Sequence, residues 1–281
     1  MAPIRNSLFD RDTPLQTLGQ YRSWKLRNHD VPIDMVWTSL ASSENPVAHR
    51  VLPHGEPSIA ILRNRDARGE ITNIRLIVCG PNAGAHLYTP EPGEELIAVR
   101  AKPEISARVF AIAPADFLNH SNGLRLAPLA VQNACAPALR AAETFNAQIV
   151  ALLLAQAVLK YFEVPQNPHT PESFGAEMLR ASNGAISTCA IARELSVSER
   201  HFRRRFRDHL GVSPKIYARQ LRLTYAAVSA EKTKRPDWAQ IAQLAGFHDQ
   251  PHMINEFRTM IGMSPKALHH ERRELSDFYN Q

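Results

Sequence analysis

The feature that most constrains the fold is an internal repeat in the C-terminal third of the 281-residue chain. Residues 198–215 align without a gap on residues 249–266, and seven of the 18 pairs are identical. Upstream, Ile191-Ala192 matches Ile241-Ala242 at a shift of 50 instead of 51, so a one-residue slip falls in a turn, where insertion costs least. The pattern predicts a duplicated structural unit. The identical pairs are His201/His252, Phe206/Phe257, Arg207/Arg258, Gly211/Gly262, Ser213/Ser264, Pro214/Pro265 and Lys215/Lys266.

Each copy is predicted to consist of two short helices joined by a tight turn. In the first copy Ser196-Val197 forms the turn, and Ser198 is a favourable N-cap for the second helix. Phe202 and Phe206 are four residues apart, which places them on one face of that helix, towards a core. The shorter helix has an apolar stripe made of Ile191, Ala192 and Leu195.

The outer face of the second helix carries arginines spaced i, i+3, i+4 and i+7. A run of charge is often only a solvated helix face. This stripe has a single sign, however, and so lacks the mixed pairs that stabilise an ordinary exposed helix. Four guanidinium groups on a helix braced by a shorter helix suit the major groove of DNA. The stripe is Arg200, Arg203, Arg204 and Arg207.

Two segments of this region resemble the signature of the AraC/XylS-type transcription regulators. One is Ala-Gly-Phe-His-Asp-Gln-Pro-His at 245–252, followed by Phe257-Arg258 and Gly262-Met263-Ser264-Pro265. The other is Phe-Arg-x-x-x-Gly-Val-Ser-Pro at 206–214, which is similar to that family's first helix-turn-helix. The resemblance covers residues 182–281. It implies an all-helical domain of two helix-turn-helix units joined by a long helix, binding two successive major-groove segments of double-stranded DNA.

The resemblance also assigns positions that contact bases. Arg203 and Arg204 become the best candidates for bidentate recognition of guanine. The second unit departs from a strong base-contacting helix: Pro251 cannot donate a hydrogen bond to a base, Ile254 offers only a contact with a thymine methyl, and Asn255 suits adenine. The predicted DNA-contacting set is Arg200, Arg203, Arg204, Arg207, Gln250, Pro251, Ile254, Asn255 and Arg258.

The spacing of the two units can also be estimated. Ser213-Pro214 and Ser264-Pro265 each supply an N-cap followed by proline at the first helical position. The first is expected to begin a helix that runs to about Glu231, roughly 18 residues or ~27 Å. Recognition helices in successive major grooves lie about 34 Å apart, so this helix suits a rigid spacer. Arg219 and Arg222 are expected to add phosphate contacts.

The distribution of charge agrees with this interpretation. Residues 186–281 hold 16 Lys/Arg and 10 Asp/Glu, whereas residues 1–185 hold 17 of each, so the whole +6 excess lies in the suspected DNA-binding part. Residues 198–235 hold 11 basic and 3 acidic residues, against 4 and 6 in residues 236–281. The second unit is therefore predicted to be the weaker anchor.

Residues 33–130 have the pattern of a β-rich domain. Short apolar segments alternate with clusters of Pro, Gly, Asn and Asp, which predicts a small antiparallel barrel or sandwich. The resemblance implies that this is a cupin-like sensing barrel, and the chain as a whole is then an α+β protein. The predicted strands are Met35–Leu40, His49–Pro53, Ser58–Leu62, Ile74–Cys79, His86–Thr89, Glu95–Arg100 and Arg108–Ala113.

The middle of the chain is predicted to be helical. Ala138–Glu163 has one broad apolar face, which packs either on the β-rich domain or on a second copy of itself. Pro165–Pro171 has the composition of a linker and precedes a short helix at Ser173–Ala181. We therefore divide the chain into a sensing or dimerising domain (1–135), a helical linker region (136–181) and the DNA-binding domain (182–281).

Several other classes of protein are disfavoured. The three cysteines, at 79, 135 and 189, have neither disulfide nor metal spacing, which indicates a reducing cytoplasm. The N-terminus lacks the apolar segment of a signal peptide, and the longest apolar run, 149–159, is too short to span a bilayer. The histidines that invite a metal site lack the His-x-His pattern of a metal-binding cupin, and His54 is expected at the surface. They are His49, His54, His86 and His120.

The combined prediction is a cytoplasmic transcription regulator that is not an enzyme and uses no cofactor, with activation the commoner mode in the resembled family. A small-molecule effector in the N-terminal barrel, RNA polymerase and a second copy of the chain are its further candidate partners. Two alternatives stay open. One is a ligand-independent regulator whose barrel only dimerises; the other is a barrel enzyme or DNA-repair protein that uses this domain for delivery.

Overall fold

The computed structural model describes residues 16–18, 21–24, 33–42, 44, 46–102, 124–161 and 170–279. Strands occupy the first part of the described chain and helices the second. The strands are β1 (Gln16–Leu18), β2 (Tyr21–Trp24), β3 (Ile33–Leu40), β4 (His49–Val51), β5 (Ser58–Arg65), β6 (Ile71–Cys79), β7 (His86–Tyr88), β8 (Glu94–Ala101) and β9 (Leu124–Leu126). The helices are α1 (Leu129–Ala134), α2 (Ala136–Ala141), α3 (Ala147–Tyr161), α4 (Pro171–Ala181), α5 (Thr188–Glu194), α6 (Glu199–Leu210), α7 (Pro214–Glu231), α8 (Trp238–Leu244), α9 (Gln250–Ile261) and α10 (Pro265–Tyr279).

The α+β class with an antiparallel, β-rich N-terminal part is confirmed. Seven strands form one sheet in the order β1-β2-β3-β8-β5-β6-β9, and β4 pairs with β7 in a separate two-stranded ribbon. Six of the seven predicted strands are present, and Arg108–Ala113 lies outside the described residues. The expected closed barrel is not found in the described part of the chain, because β1 and β9 lie at opposite edges of the sheet and do not pair with each other.

The core of the β-rich part is organised by β5, which is buried on both faces. Alternate side chains of a strand point to opposite faces, so Ile59 and Ile61 join the larger cluster, whereas Ala60 and Leu62 join a smaller one. Helices α1, α2 and α3 contribute to the larger cluster; Leu154, for example, is fully buried there. Each such Ile or Leu contributes about 1.5–3 kcal/mol through burial. The apolar face of this helical region therefore packs within the molecule.

The stretch predicted to be helical, Ala138–Glu163, is divided between two helices, because the chain breaks between α2 and α3. Fully buried Arg63 on β5 pairs with Glu95 (Nε–Oε2, 2.7 Å) and donates to the carbonyls of Ala142 (2.6 Å) and Phe145 (2.8 Å). The carbonyls of Ala142 and Phe145 thus accept hydrogen bonds from the buried guanidinium of Arg63 instead of from amides of a continuous helix. Asn146 Oδ1 then accepts from the amide of Ile149 (3.0 Å) at the start of α3.

The C-terminal helices repeat in pairs of equal length. Helices α5 and α8 have seven residues each, and α6 and α9 have twelve each. Two apolar clusters form their cores, one around Phe206 and one around Phe257. Helix α4, predicted from Ser173, begins at Pro171 and packs into the first cluster through Ala176 and Leu179. The domain limits at 135 and 181 stay predictions. None of the described helices is long and apolar enough to span a membrane.

Candidate nucleic-acid interface

The turns of the two units have the same backbone geometry. In the first, the amide of Val197 donates to the carbonyl of Ala192 (3.0 Å); in the second, the amide of Phe247 donates to that of Ala242 (2.9 Å). The turn residues of the two units are 50 positions apart in the sequence, whereas the first residues of the helices that follow, Glu199 and Gln250, are 51 positions apart. The inserted residue therefore lies between the turn and the second helix, at His248-Asp249. The predicted slip in the turn is confirmed.

The recognition helix of the first unit, α6, is fixed at both ends and along one face. Ser198 Oγ accepts from the amide of His201 (3.2 Å) at its start, and Gly211 ends it with φ +79°, a conformation that side-chain-bearing residues rarely adopt. Phe202 and Phe206 are buried with ring centroids 5.5 Å apart, as predicted. The outer face of α6 is thereby held away from the core.

The predicted arginine stripe lies on that outer face, and all four side chains are exposed. One expectation needs correction: the stripe does contain a mixed i, i+4 pair, because Arg203 Nη2 lies 2.5 Å from Glu199 Oε1. Arg205, which points elsewhere, pairs with the buried carboxylate of Glu172. Among the described residues, Arg204 has one polar side-chain contact, with His201 on its own helix (Nη2–Nδ1, 3.4 Å). Arg204 is consequently the more available of the two predicted guanine contacts.

The recognition helix of the second unit, α9, is built in the same way but presents a different surface. Asp249 Oδ1 accepts a hydrogen bond from the amide of His252 (2.7 Å). This bond is the main cause of the lowered pKa of Asp249, and the side-chain hydrogen bond with His248 is the second cause. Met253 and Phe257 are fully buried. All five predicted contact positions reach the surface; the exposed ones are Pro251, Asn255 and Arg258, and the half-buried ones are Gln250 and Ile254.

Helix α7 joins the two units and spans Pro214–Glu231, as predicted. The expected phosphate contacts from Arg219 and Arg222 are not supported, because both side chains make contacts with the second unit. Arg219 Nε lies 2.5 Å from Glu256 Oε2 on α9, and the guanidinium of Arg222 lies over the ring of Phe247, 5.6 Å from its centroid. These contacts hold α9 against the spacer. The carboxylate of Glu256, the acidic residue on the surface of α9, is paired by the contact with Arg219.

Comparison with known proteins agrees with this geometry. A family model described as a helix-turn-helix domain matches residues 191–271. Residues 191–271 are a helix-turn-helix domain of the AraC/XylS type. The chain is 32% identical over 124 residues to the HTH-type transcriptional activator RhaR of Pectobacterium carotovorum, which is 42% of this chain and 43% of the relative. It is 31% identical over 93 residues to the HTH-type transcriptional regulator ArgR of Pseudomonas aeruginosa, or 33% of this chain and 28% of the relative.

The chain therefore spans less than half the length of either curated relative that it matches. Among solved structures, ToxT from Vibrio cholerae has 12% sequence identity and a TM-score of 0.44, with 84% of this chain and 98% of that chain covered.

The AraC/XylS-type domain is in contact with the β-rich part of the chain. The Tyr217 hydroxyl on α7 donates to Glu56 Oε1 (3.0 Å), and Gln220 Nε2 donates to the carbonyl of Asn82 (2.7 Å). At Gly55 a Cβ atom would lie 2.5 Å from the Tyr217 ring, so the loop approaches α7 more closely than a side chain allows. Sequence reasoning missed these partners, since residues that lie 161 and 138 positions apart leave no local signal.

The same contact reaches the second unit. The amide of Ala85 donates to the carbonyl of Met260 (2.8 Å), and Arg50 pairs with Glu271 on α10 (Nε–Oε1, 3.2 Å). Leu52 packs against the cluster around Phe257. The N-terminal part thus touches both the spacer and the second unit.

One histidine of this region, His54, differs from the sequence-based expectation. His54 is half-buried in a contact, not free on the surface, and its Nδ1 atom has no hydrogen-bond partner among the described residues. Burial lowers its pKa to about 4, while burial of the neighbouring Glu56 raises the pKa of that carboxyl. Burial also lowers the pKa values of His49 and His86. His120 lies outside the described residues, within which no group of His, Cys, Asp or Glu is arranged to hold a metal ion.

Proposed function

We propose that this protein is a sequence-specific DNA-binding transcription regulator whose two recognition helices enter successive major-groove segments. The observation that carries the proposal is the duplicated unit with an outward arginine stripe on α6, mounted on a single 18-residue spacer helix. Arg200, Arg203, Arg204 and Arg207 are the contacts of the first unit. Those of the second unit are Gln250, Pro251, Ile254, Asn255 and Arg258.

The division of roles between the two units follows from their side chains. The guanidinium groups of Arg203 and Arg204 suit guanine, and the amide of Asn255 suits adenine. Pro251 and Ile254, on the same helix as Asn255, offer only apolar contact, for example with a thymine methyl group. We therefore propose that the first unit supplies most of the base readout, while the second discriminates over a shorter, A·T-tolerant patch.

We propose that the protein acts in the cytoplasm as an activator, with RNA polymerase as a partner. The relative from Pectobacterium carotovorum is named a transcriptional activator, which supports activation over repression. For the N-terminal part, the hydrogen bonds that Tyr217 and Gln220 of α7 donate to Glu56 and Asn82 support a role in modulating DNA binding, in response to a small-molecule effector or to self-association. Residues 1–135 and 182–281 are the two functional domains of this proposal, and residues 136–181 connect them.

The proposal is tested by selecting binding sites for the full-length protein from random double-stranded DNA. We expect enrichment of a site with two half-sites about 10–10.5 base pairs apart, centre to centre. An Arg203→Ala/Arg204→Ala double variant is expected to lose sequence preference in the half-site contacted by α6. An Arg68→Ala/Arg75→Ala variant, which removes the same charge from exposed positions of the β-rich part, serves as the control. Failure to enrich any sequence at low salt would contradict the proposed function.

A further inference from the structure

A cleft of about 790 Å³ lies in the second unit, outside its recognition helix. It is formed where the connection between α7 and α8 faces the first turns of α10. Trp238, the first residue of α8, forms part of its wall. The basic side chains that line it are Lys234, Arg235, Lys266, His269, His270 and Arg273.

The cations of this cleft are not neutralised by their neighbours. Lys234, Arg235, Lys266 and Arg273 form no ion pair with any residue that the structure describes, and the one lining carboxylate, Glu274, lies 3.2 Å from Nδ1 of His270. The adjacent Arg272, by contrast, pairs with Glu231 (2.8 Å). Four unpaired cations around one cleft repel one another, and an anion in the cleft relieves that repulsion.

Two further features favour an anion there. The start of α10 lines the cleft at Ser264, whose Oγ accepts from the amide of Ala267 (3.2 Å), so the positive end of a 15-residue helix adds to the field of the cations. Both ring nitrogens of His269 are buried without a hydrogen-bond partner among the described residues. Burial, with Arg273 nearby, lowers the pKa of His269.

We propose that this cleft, which we call the cation cleft, binds phosphates of the DNA backbone beside the groove segment that α9 contacts. The inference rests on the proposed function and deepens it. In a helix-turn-helix, the shorter helix crosses the sugar-phosphate backbone while the longer one enters the groove. Helix α8 is the shorter helix of the second unit, and the cation cleft lies at its first residue. The occupant is thus a phosphodiester strand.

The first unit reproduces this arrangement only in part, since Lys266 corresponds to Lys215 but the other three cations are not matched in the same way. Before the turn, matching residues of the two units are 50 positions apart, so Lys234 and Arg235 correspond to Gly184 and Ala185. At the shift of 51, Arg273 corresponds to Arg222, whose guanidinium lies over the Phe247 ring. The second unit, poor in basic residues on α9, therefore obtains its phosphate contacts from beside the recognition helix.

The test compares the salt dependence of DNA binding by full-length variants on one selected site. Neutralising the cleft with Lys234→Gln, Arg235→Gln, Lys266→Gln and Arg273→Gln removes four charges. The matched control removes four exposed charges from the β-rich part and its helices, with Arg68→Gln, Arg75→Gln, Arg140→Gln and Lys160→Gln.

We expect the cleft variant to lower the slope of log affinity against log salt by up to about 0.9 for each lost phosphate contact. Its affinity at 50 mM salt should fall at least about tenfold, to a similar extent on specific and on random DNA. The control variant should keep the slope of the wild type. Ethylation interference on the wild-type complex should identify phosphates flanking the second half-site, and those positions should cease to matter in the cleft variant.

A slope equal to that of the control, in a variant with the melting temperature of the wild type, would overturn the inference. So would unchanged DNA binding with loss of transcription activation, because the cleft would then be a surface for an acidic protein. If the cleft variant melts early, Lys234→Gln and Lys266→Gln, at two exposed positions, are measured singly and should each lower the slope. Failure of the proposed function is distinguishable, since the wild type would then show no sequence preference.

Discussion

The two helix-turn-helix units have the same backbone but different outer surfaces. Their turns and N-terminal capping bonds correspond, and so do the buried rings of Phe206 and Phe257. Outside the core the two helices differ: α6 carries five arginines, whereas α9 carries one, Arg258, which corresponds to Arg207. Buried positions are constrained by packing that both copies share, but exposed positions are constrained only by what each copy contacts. The comparison therefore separates residues that maintain the unit from residues that give each unit its ligand.

The largest expected effect tests the shared core. Phe206→Ala and Phe257→Ala should each destabilise the C-terminal domain by roughly 3–5 kcal/mol, because both rings are fully buried and leave a cavity when truncated. Chemical denaturation of the full chain measures this. Leu244→Ala, at a side chain that is 60% exposed on α8, is the control and should have little effect. An unchanged melting temperature in either phenylalanine variant would show that the buried face has been misassigned.

The next effect tests the readout assigned to the first unit. Arg203→Ala and Arg204→Ala should each weaken binding to the selected site by about 1–3 kcal/mol and relax specificity at one base pair. Arg204 should show the larger loss, since Arg203 already pairs with Glu199. Competition binding with single-base variants of the site measures both quantities. Equal losses on specific and random DNA would make these residues phosphate anchors instead of base contacts.

A smaller effect separates the recognition helices themselves. Neutralising Arg200 and Arg207 together should lower the salt slope by up to about one unit per lost phosphate contact. Asn255→Ala should leave the slope nearly unchanged and alter the preference at one base pair. Salt titrations on one site and on scrambled DNA provide the measurement. A larger change of slope from Asn255→Ala than from the arginine pair would contradict the division of labour between α6 and α9, while leaving DNA binding itself intact.

The smallest effect concerns the N-terminal contact, which reaches the second unit and the spacer. His54 has a folded-state pKa of about 4, below the ordinary value of about 6.5, so the fold favours its neutral form. Its contribution is present above pH 6.5 and is lost as the pH falls towards 4. Burial of Glu56 acts in the opposite direction. The His54→Gln variant removes the contribution of His54 and leaves that of Glu56. Between pH 7 and pH 5, the melting temperature of this variant should fall less than that of the wild type. Parallel curves would exclude His54 as the cause.

The sequence by itself determined most of the local structure. Short apolar segments separated by turn residues located six strands, and i, i+4 spacing identified the buried faces of α6 and α9. N-caps such as Ser198 and Ser213 set where helices begin, because capping depends on neighbours three residues away. The internal repeat predicted the paired units and the site of the slip. All of these features arise from interactions between residues close in sequence, and a single chain displays them directly.

Only the tertiary structure decided which distant groups meet. Arg63 interrupts a helix 79 residues later, and Arg219 and Arg222, expected on phosphates, are held against the second unit. Lys234 and Arg235 were counted with the first unit by position, yet they line a cleft of the second. The partners of these charged side chains are set by packing between elements distant in sequence, which local spacing does not display. The sequence therefore predicts where a charge lies along a helix, whereas the folded chain determines whether that charge is paired or available to a ligand.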